Sequence, residues 1–209
     1  MCGIAGLVRR ESEIVERLAV QRMCQTILHR GPDDEGVYAK DNVGLGIRRL
    51  SIIDLSGGHQ PIHNEDQTVW LVLNGEIYNF PELRKRLESR GHTFYTHSDT
   101  EVIVHLYEDM GAACVRELRG MFGLALYDER KRTLLLARDR LGKKPLHYAL
   151  QDGRLFFGSE IKTILAIESN LKDLNPEAFL QYFQFGYIAD PNTAFRKIEK
   201  LPPGHTLEY

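Results

Sequence analysis

From Met121 onward the chain breaks into four short apolar runs, Phe122–Tyr127, Thr133–Arg138, Leu146–Leu150 and Arg154–Gly158, parted by turn residues or charged tips such as Asp128-Glu129-Arg130-Lys131-Arg132 and Asp152-Gly153. Runs of this length with such gaps predict an antiparallel meander. Strand-like runs also occur at Gly3–Val8, Val43–Ile47 and Thr68–Leu73, the last leading into Asn74-Gly75, a common turn pair. Helical spacing of Val15, Leu18, Ala19, Met23, Ile27 and Leu28 predicts a helix over Val15–Leu28, ended by His29-Arg30-Gly31-Pro32-Asp33. Pro81–Arg90 reads as a second helix with Asn79 as cap and Gly91 beyond it. Ser98-Asp99-Thr100-Glu101 has the form of a capping box opening a third through Met110, and shorter helices are expected at Glu160–Ile167 and Pro176–Phe183. Strands with helices before and between them define an α+β protein with mainly antiparallel sheet. Packing permits a two-sheet sandwich with helices outside, and other α+β arrangements stay open.

A chain of 209 residues, 43% hydrophobic and 27% charged, can bury one large core. The expected division is one domain over residues 2–185. A connector and terminal strand follow over 186–209, where Asp190-Pro191-Asn192 and Leu201-Pro202-Pro203-Gly204 stand. A formal charge of −2 gives no electrostatic reason to expect nucleic acid or an anionic membrane as partner. No apolar run approaches the ~20 residues of a spanning helix. Cys2, Cys24 and Cys114 form neither a paired framework nor a CxxC metal spacing, which fits reduced thiols and a cytoplasmic location. Cys24 and Cys114 fall in helical patterns and are expected in the core.

Cys2 is different, because removal of Met1 would put a thiol and a free α-amine on the same residue. An α-amine titrates at about 7.7–8.0, so near neutral pH a fraction of it can take the thiol's proton and activate the nucleophile without a histidine. Assistance must come from elsewhere in the chain. Arg49 follows a strand and could clamp a carboxylate with two parallel hydrogen bonds, or lie on the surface. The Asn74 amide and the Gly75 N–H can converge on one oxygen as an oxyanion hole, or form an ordinary turn. Glu76 and Asp99 can hold an ammonium, although Asp99 also suits a helix cap. His29 and Arg30 read more simply as basic residues at a helix end. Ser56-Gly57-Gly58 lacks the lysine of a phosphate loop.

Taken in order, Cys2-Gly3-Ile4-Ala5-Gly6, His29-Arg30-Gly31-Pro32-Asp33, Arg49-Leu50-Ser51-Ile52-Ile53-Asp54, Gln60-Pro61, Asn74-Gly75-Glu76-Ile77-Tyr78-Asn79, Ser98-Asp99 and Arg138-Asp139 closely resemble the glutaminase domain of glutamine-hydrolysing asparagine synthetases. The resemblance runs from Cys2 to about Leu165 and more loosely to Tyr209. It implies the four-layer αββα fold of N-terminal nucleophile hydrolases, with two stacked antiparallel sheets between helical layers. It also implies cleavage of the side-chain amide of L-glutamine through a Cys2 thioester, with Asn74 and Gly75 as the oxyanion hole. Arg49, Ile52, Glu76 and Asp99 would bind the substrate. No cofactor or metal is implied for this chain. ATP and Mg²⁺ belong to a synthetase domain or separate subunit that would receive the ammonia, and a homo-oligomer is compatible. The pyrophosphate loop of that domain, Ser-Gly-Gly-x-Asp-Ser, does not occur, and His147 stands where the family commonly has tyrosine.

Three readings remain: a glutaminase feeding an asparagine-synthetase-type site or another carboxylate acceptor, a glutamine-sensing or interaction module without turnover, and a different N-terminal nucleophile hydrolase. The thiol opposite an oxyanion hole favours turnover. Arg49 with two acids favours a free amino acid over a peptide.

Overall fold

The computed structural model describes residues 2–51, 54 and 57–209. Eleven strands are found among them: β1 (Gly3–Val8), β2 (Asp34–Lys40), β3 (Val43–Arg49), β4 (Ile62–His63), β5 (Val69–Ile77), β6 (Gly120–Asp128), β7 (Thr133–Arg138), β8 (His147–Gln151), β9 (Arg154–Gly158), β10 (Glu199–Lys200) and β11 (Thr206–Glu208). They form two antiparallel sheets, one in the order β10-β8-β9-β1-β3-β2 and the other β11-β7-β6-β5-β4. Five helices accompany them: α1 (Arg17–Gln25), α2 (Phe80–Glu88), α3 (Glu101–Met110), α4 (Ile161–Leu165) and α5 (Pro176–Phe185).

Strand periodicity sorts the core into layers, since successive side chains point to opposite faces. Ile4, Leu45, Ile47 and Phe157 of the first sheet meet Val72, Ala125 and Leu136 of the second between the sheets. The alternate residues Ala5, Leu7 and Phe156 pack outward against Val20, Met23 and Cys24 of α1 and Ile164 of α4. Leu71, Leu73, Leu124 and Leu126 pack outward against α2 and α3 through Leu83, Leu87, Val102, Ile103 and Leu106. The result is the expected αββα stack, with Cys24 and Cys114 fully buried. Close approach of α1 to β3 requires Gly46, where a Cβ would fall 2.5 Å from Cys24 Sγ.

Five local expectations are corrected. The four late strands do not make one meander: β6 and β7 lie in the second sheet, β8 and β9 in the first. The crossing is organised by Asp139, whose carboxylate accepts the N–H groups of Phe122, Leu141, Lys143 and Lys144 at 3.0–3.2 Å. Asn74-Gly75 is no turn, because β5 continues to Ile77 with Asn74 opposite Gly123 and Gly75 opposite Phe122. Long-range pairing with β6 overrides the local turn preference. Strand β2 was not anticipated, its polar start Asp34-Glu35 being held by register against Arg49 and Arg48. The first helix is shorter than expected, with Val15 already bonded through its N–H to Asp41 O, and Leu28–Arg30 forms a separate 3-10 turn. The capping box does not form: Glu101 turns back to Tyr95 N and Thr96 N, at 2.8 and 2.7 Å, and Ser98 Oγ accepts from Thr100 N instead.

Candidate active site

At one end of the sandwich the two-residue period that fills the inter-sheet space with apolar groups runs on into polar ones. Ile4 is followed on its face by Cys2, Ile47 by Arg49, and Val72 by Asn74 and Glu76. These four residues line one cleft with Gly75, Asp99 and Lys144, which holds about 490 Å³ of atom-free space, part of it open to solvent. Every sequence-predicted site residue among those described is therefore brought to one place. Ile52 lies outside the described residues, as does Ser56 of the Ser-Gly-Gly run.

Cys2 is half-buried immediately before β1. Its Sγ accepts from Leu50 N–H at 3.4 Å, and its carbonyl accepts from Arg30 Nε at 2.9 Å. Arg30 is itself held by Glu160, 3.1 Å from its Nη1. The sequence placed Arg30 as a basic helix-end residue. The structure makes it the residue that positions the Cys2 backbone, and only the fold reveals this, because Arg30 and Glu160 are far apart in the chain.

Asn74 is fully buried, and neither its amide nitrogen nor its amide oxygen has a hydrogen-bond partner among the described residues. Leaving such a group unpaired costs about 1–3 kcal/mol, so buried side-chain amides are almost always satisfied. Gly75 is required by the neighbouring strand: a Cβ there would lie 2.3 Å from Met121 O and 2.7 Å from Phe122 Cα. The missing side chain thus admits β6.

Arg49 is buried at the end of β3 and donates from Nη2 to Asp54 O at 2.8 Å. Asp54 in turn accepts from His97 N and Gly57 N, both at 2.9 Å. The His97 bond is the main influence holding the Asp54 carboxyl below its usual range, against some burial. Asp99 accepts from Ile77 N at 2.8 Å, and burial, with Glu76 nearby, pushes its pKa up. A cationic group arriving between Glu76 and Asp99 would relieve that penalty.

Two further lining residues were given no site role by the sequence reading, although Gln60 stands in one of its motifs. Gln60 accepts from Leu73 N at 2.7 Å through Oε1 and so fixes β5 beside Asn74. Lys144 is brought to the cleft by the loop wrapped around Asp139, and Arg138 clamps that loop through the carbonyls of Lys144 and Gly142, each at 2.9 Å. The Arg138-Asp139 pair was the available signal, and its reach to Lys144 is a property of the loop. His147 does not line the cleft. Burial pushes its imidazole down to about 4, and Nδ1 has no partner among the described residues.

Two stacked antiparallel sheets between helices, with a cysteine at the chain start and a buried amide facing the same cleft, define a class II amidotransferase architecture. Residues 1–209 match the glutamine amidotransferase domain family, and the chain belongs to it. It is 39% identical over 208 residues to asparagine synthetase [glutamine-hydrolyzing] 1 of Bacillus subtilis, covering 98% of this chain and 33% of that protein. With asparagine synthetase B [glutamine-hydrolyzing] of Escherichia coli it shares 39% identity over 182 residues, covering 86% of this chain and 33% of the relative. The chain thus spans about a third of the length of these relatives. In fold it is similar to glutamine phosphoribosylpyrophosphate amidotransferase of B. subtilis, with a TM-score of 0.67 at 20% identity, covering 80% of this chain and 44% of the other.

Proposed function

We propose that this chain hydrolyses the side-chain amide of L-glutamine and supplies the ammonia to an asparagine-synthetase-type amidation of aspartate. The observation that carries the reading is Asn74: an amide buried without partners among the described residues, in the cleft that holds Cys2, is suited to a ligand oxygen. In this reading Met1 is removed, and the free amine of Cys2 takes the thiol proton. Sγ then attacks the carboxamide carbon. Charge that develops on the oxygen is met by Asn74 Nδ2 and Gly75 N–H. The amine returns the proton to the leaving nitrogen, the C–N bond breaks, and ammonia departs from a thioester. Water adds to the thioester carbon through a second oxyanion and releases glutamate with the thiol.

Arg49 and Ile52 are assigned to the α-carboxylate end of the substrate and Glu76 with Asp99 to the α-ammonium, which the raised pKa of Asp99 supports. No cofactor takes part in these steps. ATP and Mg²⁺ serve only a synthetase domain or subunit, whose presence in the relatives' names and greater length supports it as partner. Residues 2–185 are assigned as the glutaminase domain and 186–209 as a connector, whose strands β10 and β11 pair with β8 and β7. Among the described residues no helix is long and apolar enough to cross a membrane. A cytoplasmic location follows from the reaction proposed.

The test is mass analysis of the N-terminus followed by glutamate release from glutamine, for the native chain, Cys2→Ala and Asn74→Ala. Retention of Met1 in the active protein, or unchanged turnover in Cys2→Ala, overturns the mechanism. Asn74→Ala should lower turnover far more than affinity. A loss confined to affinity removes Asn74 from the oxyanion role.

A further inference from the structure

Behind the segment that carries Asp99, four side chains from three places in the chain converge. Glu65 lies in the turn between β4 and β5, His92 follows α2, and His105 and Glu108 stand three residues apart on α3. One ligand atom from each lies within 4.8 Å of all the others. His105 Nδ1 is 3.4 Å from Glu65 Oε2 and 3.2 Å from Glu108 Oε2. His92 Nδ1 is 3.7 Å from Glu65 Oε1 and 3.6 Å from Glu108 Oε2. A tetrahedron with metal–ligand arms of about 2.0–2.1 Å has edges of about 3.3–3.4 Å, close to these imidazole–carboxylate spacings of 3.2–3.7 Å, and the remaining ligand pairs, all within 4.8 Å, would contract around an ion.

The surroundings also match a metal centre. Ligating imidazoles commonly pass their other nitrogen to a carboxylate, which fixes the ring. Here His92 Nε2 faces Asp109 Oδ1 at 3.2 Å, while His105 Nε2 stands 3.5 Å from Glu101 Oε1 without a hydrogen bond among the described residues. The carboxylates are oriented too: Thr93 N–H donates to Glu65 Oε1 at 2.9 Å and Asn64 Nδ2 to Glu108 Oε1 at 2.8 Å. His105 and Glu101 are wholly buried, so two of these groups face no competing bulk water.

We propose that Glu65, His92, His105 and Glu108 bind one divalent transition-metal ion, Zn²⁺ by the chemistry of two imidazoles and two carboxylates in tetrahedral array. The ion is structural, since all four positions are taken by protein and the cluster is separate from the residues lining the cleft. It ties the β4–β5 turn and the segment after α2 to α3. Glu101 connects it to the site, because this carboxylate stands behind His105 and also accepts the N–H groups of Tyr95 and Thr96, a few residues before Asp99.

The test is calorimetric titration of the chelator-treated chain with ZnCl₂, with thermal unfolding in and out of Zn²⁺ and the visible spectrum of the Co²⁺ form. His92 and Glu65 reach the surface and can be changed without emptying the core, unlike His105. The native chain should take up one equivalent, raise its unfolding midpoint with Zn²⁺, and give the intense bands of tetrahedral Co²⁺. His92→Asn and Glu65→Gln should each weaken binding about 100-fold or more and abolish the thermal shift. Asp109→Asn should weaken it about 10-fold. Cys2→Ala should bind as the native chain does. Absence of uptake, full affinity in both His92→Asn and Glu65→Gln, or loss of the equivalent in Cys2→Ala each overturns the proposal. None of these readouts depends on glutamine turnover.

Discussion

The cleft and the histidine–carboxylate cluster adjoin at the segment Asp99–Glu101, Asp99 lining the one and Glu101 standing beside His105 of the other, and both bury charged or polar groups, yet they treat those groups differently. In the cleft, Asn74 has no partner among the described residues for either amide atom, and burial with a neighbouring acid raises the pKa of Asp99. In the cluster most polar atoms meet another, His105 Nε2 being an exception among the described residues, and Glu65 and Glu101 shift the other way. Burial would raise both, but backbone N–H groups with His105 and His92 hold Glu65 below its usual range, and His105 with the Thr96 hydroxyl and the Tyr95 and Thr96 N–H groups does so for Glu101. Burial also pulls His105 down, and the carboxylates of Glu101, Glu108 and Glu65 reverse this, holding its imidazolium up to about 9. Unsatisfied groups carry a free-energy cost that a ligand can remove, so one region is built for a transient guest and the other for permanent order.

The sharpest break between the two regions is at the nucleophile. Cys2→Ala should reduce glutamate release by about 10³-fold or more while leaving the unfolding midpoint nearly unchanged, because the thiol's hydrogen bonds among the described residues are weak ones to Leu50 N and O, at 3.4 and 3.6 Å. Rates and thermal scans on one preparation check both halves. Next in size is Asn74→Leu, which keeps the branched shape and heavy-atom count, turns bulkier methyls toward the open cleft and removes both atoms left unpartnered among the described residues. Turnover should fall about 10²–10³-fold, as for loss of one oxyanion donor, and the midpoint should hold or rise. A midpoint several degrees lower would mean that Asn74 serves packing and would dissolve the contrast.

The cleft was legible in the sequence because its residues sit in contiguous motifs, and strand periodicity carries Cys2, Arg49 and Asn74 to the same face. Even so, Asn74-Gly75 read locally as a turn, since nothing near it announces its pairing with Gly123 and Phe122. The division of β6–β9 between two sheets was equally hidden, because it depends on how Asp139 folds the loop to Lys144. Arg30 could be recognised only after β1 and Glu160 were in place. The histidine cluster draws on three distant segments, and the one local trace is Glu101, His105 and Glu108, spaced to share a face of α3. An acid read as a helix cap masked that trace.

Glu101→Gln tests the ordered region directly. Its carboxylate accepts Tyr95 N, Thr96 N and Thr96 Oγ1 at 2.5–2.8 Å and faces His105. A neutral amide cannot match that pattern, so stability should drop by about 2–3 kcal/mol, read from denaturant unfolding at neutral pH. Because the folded-state pKa of Glu101 is lowered, its contribution is present above the unfolded-state value and is lost as pH falls through the folded value. The gap between native chain and variant should therefore close in acid.

Asp99→Asn should do the reverse, and with the smallest effect on stability. Its folded-state pKa is raised, so the stability linked to its protonated form is fully present below the unfolded-state value and is lost as pH rises through the folded value. Asparagine has no such loss and can still accept the Ile77 N–H that Asp99 Oδ2 accepts at 2.8 Å. Relative to the native chain, the variant should gain stability as pH rises toward neutrality, the opposite slope to Glu101→Gln. Function should move against stability: without the charge opposite the α-ammonium, KM for glutamine should rise about tenfold or more, with a smaller change in kcat. Parallel pH–stability curves for the two variants would show that both acids serve one structural network, and the distinction between a cleft built for a guest and a cluster built for order would fail at the residue where they adjoin.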